Sequence, residues 1–76
     1  MNKYRRKSLQ DIIEHLEELK GSLEGLQAEE EECRDNMPEN LQGSEKYERA
    51  DEAVDQLGDA ISSLEDAISS VEAATE

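Results

Sequence analysis

The side chains that could carry out chemistry in this chain are few, and the first is its only histidine, His15. An imidazole four residues after Asp11 and three before Glu18 could bind a metal ion on one face of a helix. The carboxylate-bridged di-iron pattern requires a glutamate three residues before the histidine, and Ile12 occupies that position. We therefore predict no metal site and interpret His15 as a solvent-facing side chain.

The only cysteine, Cys33, and the four glutamates at residues 29–32 are the other candidates. A cysteine nucleophile requires a base and an oxyanion site, and the residues around Cys33 are acidic and supply neither. Successive carboxylates on a helix point around its axis rather than toward one ion, and the calcium loop with a central glycine is absent. The chain also has no phosphate-binding glycine loop. The sequence therefore predicts no enzyme, no cofactor and no small-molecule substrate.

Composition and charge limit the class of protein and the kind of partner. Seventy-six residues form at most one small domain, and a chain without Phe or Trp must have an aliphatic core. The formal net charge is -13, although residues 3–7 hold four of the eight basic side chains. An acidic surface repels phosphates. We therefore expect no direct nucleic-acid binding and predict a basic protein partner.

Cysteine usage and hydropathy indicate where the chain acts. A single cysteine excludes an intramolecular disulfide and favours a reducing, intracellular compartment. No stretch approaches about 18 consecutive apolar residues, and the basic start has no apolar run behind it. We predict a cytoplasmic protein that is neither secreted nor inserted in a membrane.

Two long segments repeat apolar residues at alternating steps of three and four, as helices that pack along a seam do. The first helix is predicted over about 3–34 and the second over about 44–75, with a connection over about 35–43 that holds the only proline. The predicted seam residues are Leu9, Ile12, Leu16, Leu19, Leu23, Leu26 and Cys33 in the first helix and Tyr47, Val54, Leu57, Ile61, Leu64, Ile68 and Val71 in the second. The fold class is an all-α, antiparallel two-helix coiled-coil hairpin.

An antiparallel hairpin pairs residues whose numbers add to a constant. A sum of 80 pairs Leu9 with Val71 and Leu23 with Leu57, and almost every layer then matches apolar with apolar. Ser44 is placed to cap the second helix, since its hydroxyl can accept from the free amides of the next turn.

A two-helix hairpin buries little apolar surface, so we predict a homodimer that forms a four-helix bundle. Alanines recur every seven residues beside the seam of the second helix and would let another helix come close. The predicted dimer interface consists of Ile13, Ala53, Ala60, Ala67 and Ala74. In the alternative, the alanines only raise helix propensity, and the hairpin is a monomer or binds another protein.

The connection carries a motif, Asn-Met-Pro-Glu-Asn-Leu-Gln-Gly-Ser-Glu-Lys-Tyr-Glu over residues 36–48. It resembles the connection in small acidic helical-hairpin proteins of Gram-positive bacteria, their phages and other mobile elements. In that group an Asn-Leu-Gln and Ser-x-(Lys or Arg)-Tyr motif precedes an Ala-rich acidic helix. The resemblance covers the connection and the second helix, and the first helix only by pattern. It implies the hairpin fold and a mobile-element setting, and it transfers no catalytic role.

Two functions fit these features. The first is a non-enzymatic interaction module whose acidic surface docks on a basic host protein, as a mimic of nucleic acid that inhibits a nuclease or a DNA-binding defence protein. The acidic partner surface is predicted at Glu17, Glu18, Glu24, Glu31, Glu32, Asp55, Asp59 and Asp66. The alternative is a structural or assembly hairpin whose role is oligomerisation or the docking of a partner helix, with the acidic residues serving only solubility.

Overall fold

A computed structural model describes all 76 residues as two long antiparallel helices joined by a short connection. Helix α1 spans Lys3–Asp35, a single 3-10 turn spans Glu39–Leu41, and helix α2 spans Glu45–Thr75. The two helices contact each other along a rod of 60 × 14 × 13 Å. The prediction of an all-α helical hairpin is confirmed.

Both ends of α1 follow from local chemistry. Asn2 caps the first turn, because its side-chain oxygen accepts a hydrogen bond of 2.8 Å from the backbone N–H of Arg5. At the other end the backbone N–H of Asn36 still donates to the carbonyl of Glu32. Pro38 follows with φ -56° and ψ 147°. It lacks an N–H and disfavours helical geometry in the residue before it, so α1 ends ahead of it.

Helix α2 begins at the cap that the sequence predicts. The Ser44 hydroxyl accepts a hydrogen bond of 3.3 Å from the backbone N–H of Tyr47 and donates one of 2.6 Å to the carbonyl of Leu41. Glu45 and Glu48 lie in the first turn, where their charges oppose the positive end of the helix dipole. One serine therefore links the connection to α2.

Replacing Ser44 with alanine should lower the free energy of unfolding by about 1 kcal/mol, because the first turn of α2 loses its acceptor. Urea titration followed by circular dichroism measures the change. Ser62→Ala is the matched control, since Ser62 lies exposed in the middle of α2 and alanine there slightly favours the helix. Equal destabilisation by the two substitutions would contradict the capping role.

The core is a thin aliphatic line between the helices. Its buried members are Ile13 from α1 and Ala50, Val54, Ile61 and Ile68 from α2, each less than a tenth exposed. The half-buried apolar residues that extend it are Leu9, Leu16 and Leu23 on α1 and Tyr47, Leu57, Leu64 and Val71 on α2. The seam of α2 thus follows the predicted positions.

Helix α1 presents a different column of side chains to α2 from the one that the sequence predicts. Ile12, Leu19 and Leu26 are 45%, 56% and 54% exposed, and Cys33 is also exposed. Their assignment to the hairpin seam is wrong. The column one residue further along the chain takes their place, and its members, Ile13, Lys20, Gln27 and Arg34, are all buried or half-buried. The assignment of Ile13 to a dimer interface is wrong for the same reason, since this side chain is 6% exposed within the hairpin.

Ion pairs between the helices show how polar residues can occupy this column. Lys20 Nζ lies 3.5 Å from Glu65 Oε1, and Arg34 Nη1 lies 2.8 Å from Asp51 Oδ1. Long basic side chains can cover apolar surface with their methylene groups while the charged ends reach a partner. The residue numbers add up to 85 in both ion pairs and to 81 in the hydrogen bond from Gln27 to Val54, so contacts across the hairpin join residues whose numbers lie near the predicted sum of 80.

Candidate interaction surfaces

An uncovered apolar column runs along α1. Ile12, Leu19, Leu26 and Cys33 recur every seven residues, so they lie in one line on the helix surface; we call them the α1 stripe. An open groove of about 500 Å³ adjoins this stripe, and its lining consists of Leu19, Ser22 and Leu23 from α1 and Ala60, Ser63 and Leu64 from α2. Large apolar side chains therefore border a groove that nothing in the hairpin fills.

The alanines of α2 lie on the same side of the hairpin as the α1 stripe, because Ala60 borders the same groove as Leu19. Ala53, Ala60, Ala67 and Ala74 are spaced by seven residues; the first two are half-buried, and the last two are exposed. We call the α1 stripe and these four alanines together the apolar face. The dimer interface predicted from the sequence thus contains the alanine half of this face and omits the leucine half.

The opposite side of the seam is acidic. Asp51 and Glu65 accept the ion pairs from Arg34 and Lys20, and they flank the α2 seam on the side away from the alanines. The Gln27 amide donates a hydrogen bond of 3.1 Å to the Val54 carbonyl. The heptad-related carboxylates of this side are Glu17, Glu24 and Glu31 on α1 and Asp51, Glu65 and Glu72 on α2. We call these six residues the acidic face.

The eight carboxylates that the sequence predicts as a partner surface are all exposed, but they do not form one patch. Three of them lie on the acidic face, namely Glu17, Glu24 and Glu31. The other five point outward from the two helices, and they are Glu18, Glu32, Asp55, Asp59 and Asp66. The sequence interpretation missed Asp51, Glu65 and Glu72, which their spacing of 14 and seven residues beside the α2 seam could have identified.

The two most highly charged segments of α1 make no ion pair in the hairpin. The basic side chains of residues 3–7 and the glutamates of residues 29–32 are absent from all five ion pairs. Each segment is therefore free to meet charges of another molecule, and the two lie at opposite ends of the same helix.

The remaining titratable groups form structural contacts or stand alone. His15 and Cys33 are exposed, no polar side chain is buried, and no group of His, Cys, Asp and Glu side chains is arranged to hold a metal ion. Hydrogen bonds to Asp35 and Asp51 raise the pKa of Arg34, and the bond to Asp51 joins the two helices near the loop end. Neither helix combines the length and hydropathy needed to cross a membrane.

The fold and its surfaces define the class of protein: an all-α helical hairpin with an apolar face on one side and an acidic face on the other. Comparison with protein-family models, with curated proteins and with solved structures finds no match to this chain. The two faces themselves are therefore the basis for a function.

Proposed function

We propose that this chain is a non-enzymatic protein–protein interaction module that presents carboxylates to a basic protein in the cytoplasm. The observation that carries the proposal is the separation of the two faces. Apolar residues are gathered on one side, so an assembly can form there while the acidic face and the outward carboxylates stay accessible. Complementary charge of this kind accelerates association and selects basic partners.

Charge density supports mimicry of nucleic acid as the mode of binding. A net charge of -13 along 60 Å corresponds to about one negative charge per 4.6 Å, compared with one per about 1.7 Å in duplex DNA. Two hairpins side by side would present about one per 2.3 Å, which approaches the duplex value. In the phage or mobile-element setting that the connection motif implies, the partner would be a host nuclease or a DNA-binding defence protein.

Capture of host proteins on the immobilised chain tests this function. The amount of partner captured should fall steeply with salt concentration and with added duplex DNA, because both compete for the same basic surface. Reversing three charges on the acidic face, with Glu17→Lys, Glu24→Lys and Glu31→Lys, should reduce capture at least tenfold.

A control variant separates the acidic face from net charge alone. Glu39→Lys, Glu48→Lys and Glu76→Lys change the net charge by the same amount and lie outside the acidic face. Capture by this control should stay within about twofold of the original chain at moderate salt. Capture that resists salt and both sets of reversals would exclude the mimic.

A second candidate function is a structural or assembly hairpin, and the exposed α1 stripe favours it. Monomeric soluble proteins rarely leave a row of large aliphatic side chains uncovered. In this case the apolar face carries the activity, either in a homodimer or by docking a partner helix, and the carboxylates keep the assembly soluble. Biological activity would then be lost with Leu19→Glu and kept after the three reversals on the acidic face.

A further inference from the structure

The α1 stripe is symmetric about Leu19. Ile12 lies seven residues before it and Leu26 seven residues after it, and Leu19 is also the midpoint of Lys3–Asp35. A second α1 running antiparallel, with Leu19 opposite Leu19, would place Ile12 of each copy against Leu26 of the other. The stripe is therefore complementary to itself along the full length of the helix.

We propose that a second copy of this chain covers the apolar face, with α1 antiparallel to α1 of the second copy about a two-fold axis at Leu19. The two connections then lie at opposite ends of a four-helix bundle. The proposal rests on the proposed function only in treating the apolar face as a protein-binding surface. The oligomeric state of the chain tests it, whereas capture of a host protein tests the proposed function.

Complementary charges on α1 favour a second copy of this chain as the molecule that covers the apolar face. Arg5 continues the α1 stripe one heptad before Ile12, and in the antiparallel pairing it lies opposite Cys33 of the second copy, beside Glu29 and Glu32 of that copy. The basic residues 3–7 thus meet the glutamates of residues 29–32, and both segments lack ion pairs within the hairpin. Basic residues oppose the dipole at a helix start, and carboxylates of the second copy would offset that effect.

Charge also selects the direction of the second copy. A two-fold axis along the helices would put both connections at one end and lay α1 over α2 of the second copy. Residues 29–32 would then lie near Asp51 and Asp55 of that copy, and the nearest basic side chain of α2, Arg49, already pairs with Glu45. The arrangement with connections at opposite ends replaces this repulsion with opposite charges at both ends of the bundle.

The alanines fit the same arrangement. Contacts across the hairpin join residues whose numbers add up to between 81 and 85, so the level of Leu19 on α2 lies between Ala60 and Ala67. The two α2 helices would then meet through Ala60 of one copy against Ala67 of the other. Small side chains allow helices to approach to about 8 Å.

The side of the hairpin that carries the apolar face is large enough for a stable dimer. It is 60 Å long and 14 Å wide, a projected area of about 800 Å² in each copy. This is the area that each partner contributes to a standard specific interface. One hairpin face is therefore enough for one second copy.

Sedimentation equilibrium tests the dimer. The chain of 8.6 kDa should sediment at about 17 kDa, and Leu19→Glu should sediment as a monomer with its helicity retained in circular dichroism. Leu41→Glu is the matched control: Leu41 is 46% exposed in the connection, away from the apolar face, and its variant should remain dimeric. A chain that sediments at 8.6 kDa at about 100 µM, or a dimer that survives Leu19→Glu, would overturn the proposal.

Disulfide trapping tests the arrangement with nearly native chains. Leu19→Cys in a Cys33→Ser background should form a cross-linked dimer on mild oxidation, and so should Arg5→Cys with Cys33 retained. The original chain should not cross-link, because Cys33 of each copy lies 14 residues from Leu19 and the two sulfurs are then about 42 Å apart.

Gly21→Cys with Cys33→Ser is the matched control for trapping, since Gly21 points away from the apolar face and its variant should stay uncross-linked. The antiparallel arrangement would be refuted if the original chain cross-links through Cys33 while the Leu19→Cys variant does not.

Charge exchange completes the test and separates it from the proposed function. Arg5→Glu should weaken the dimer several-fold, and the addition of Glu29→Arg and Glu32→Arg should restore it. Loss of salt-dependent capture with an intact dimer would reject the mimic alone, whereas salt-dependent capture by an original chain that sediments as a monomer would reject the dimer alone. Failure of the exchange to restore the dimer would contradict the ionic contacts that fix its direction.

Discussion

Replacing Ile13 with alanine should lower the free energy of unfolding of the hairpin by about 3 kcal/mol, because a buried isoleucine is lost from a core of very few residues. The side chain is 6% exposed and is the only buried residue of α1. For a chain of this length the melting temperature should fall by more than about 10 °C. Thermal unfolding followed by circular dichroism measures it.

Ile12→Ala is the matched control, since it removes the same atoms from the neighbouring residue. Ile12 is 45% exposed, so the change should cost less than about 1 kcal/mol in the hairpin itself. Both substitutions are compared in a Leu19→Glu background, where dimerisation does not contribute. If Ile12→Ala destabilises the hairpin as much as Ile13→Ala, the orientation of α1 described above is incorrect.

Gly21→Ala combined with Gly25→Ala should raise the free energy of unfolding by about 2 kcal/mol, since two helix-interior glycines are replaced. Each glycine lies exposed inside α1, and a methyl group at either position would meet nothing within 4 Å. Alanine is favoured over glycine in a helix interior by about 1 kcal/mol per residue, mainly through the entropy of the unfolded chain. Guanidinium titration should show a higher midpoint with an unchanged slope.

Gly58→Ala provides the comparison for this pair. A methyl group at Gly58 would lie 3.1 Å from the Gln27 amide nitrogen, which donates to the Val54 carbonyl. The amide must shift, so the gain in helix propensity is offset by a weakened hydrogen bond. We expect Gly58→Ala to stabilise the chain by less than either α1 substitution. An equal gain would show that the Gln27 contact contributes nothing.

The seam of α2 could be predicted from the sequence because that helix offers only one choice. Its branched aliphatic side chains lie in two adjacent columns, Val54, Ile61 and Ile68 in one and Leu57, Leu64 and Val71 in the other, and the columns on either side hold alanine, glycine or acidic residues. Any partner helix must bury these two columns. The N-cap at Ser44 could also be predicted from the sequence, because it depends only on the few residues around it.

The orientation of α1 could not be predicted in this way. Leu9, Leu16 and Leu23 belong to both the predicted and the observed seam, and either the column of Ile12 or the column of Lys20 could complete it. Hydropathy alone places the column of Ile12 in the seam and the column of Lys20 in solvent. The structure uses the Lys20 column, since Lys20 and Arg34 find carboxylates on α2. Those partners are defined only after the register of the two helices is known. Because Leu9, Leu16 and Leu23 stay in the seam, this exchange of columns turns α1 by about 50°, which also explains why the predicted acidic patch divides.

The short connection between the helices sets the order in which the hairpin folds. Arg34 and Asp51 are 17 residues apart along the chain, whereas Lys20 and Glu65 are 45 apart, so closing the larger loop costs about 0.9 kcal/mol more in chain entropy. Contacts near the connection therefore form first, and the two helices then pair progressively toward the end of the hairpin that holds both termini. In the proposed dimer the open end of each copy lies beside the connection of the other. The end of each chain that holds the termini folds last, and in the dimer it contacts the region of the second copy that folds first, the one near the connection.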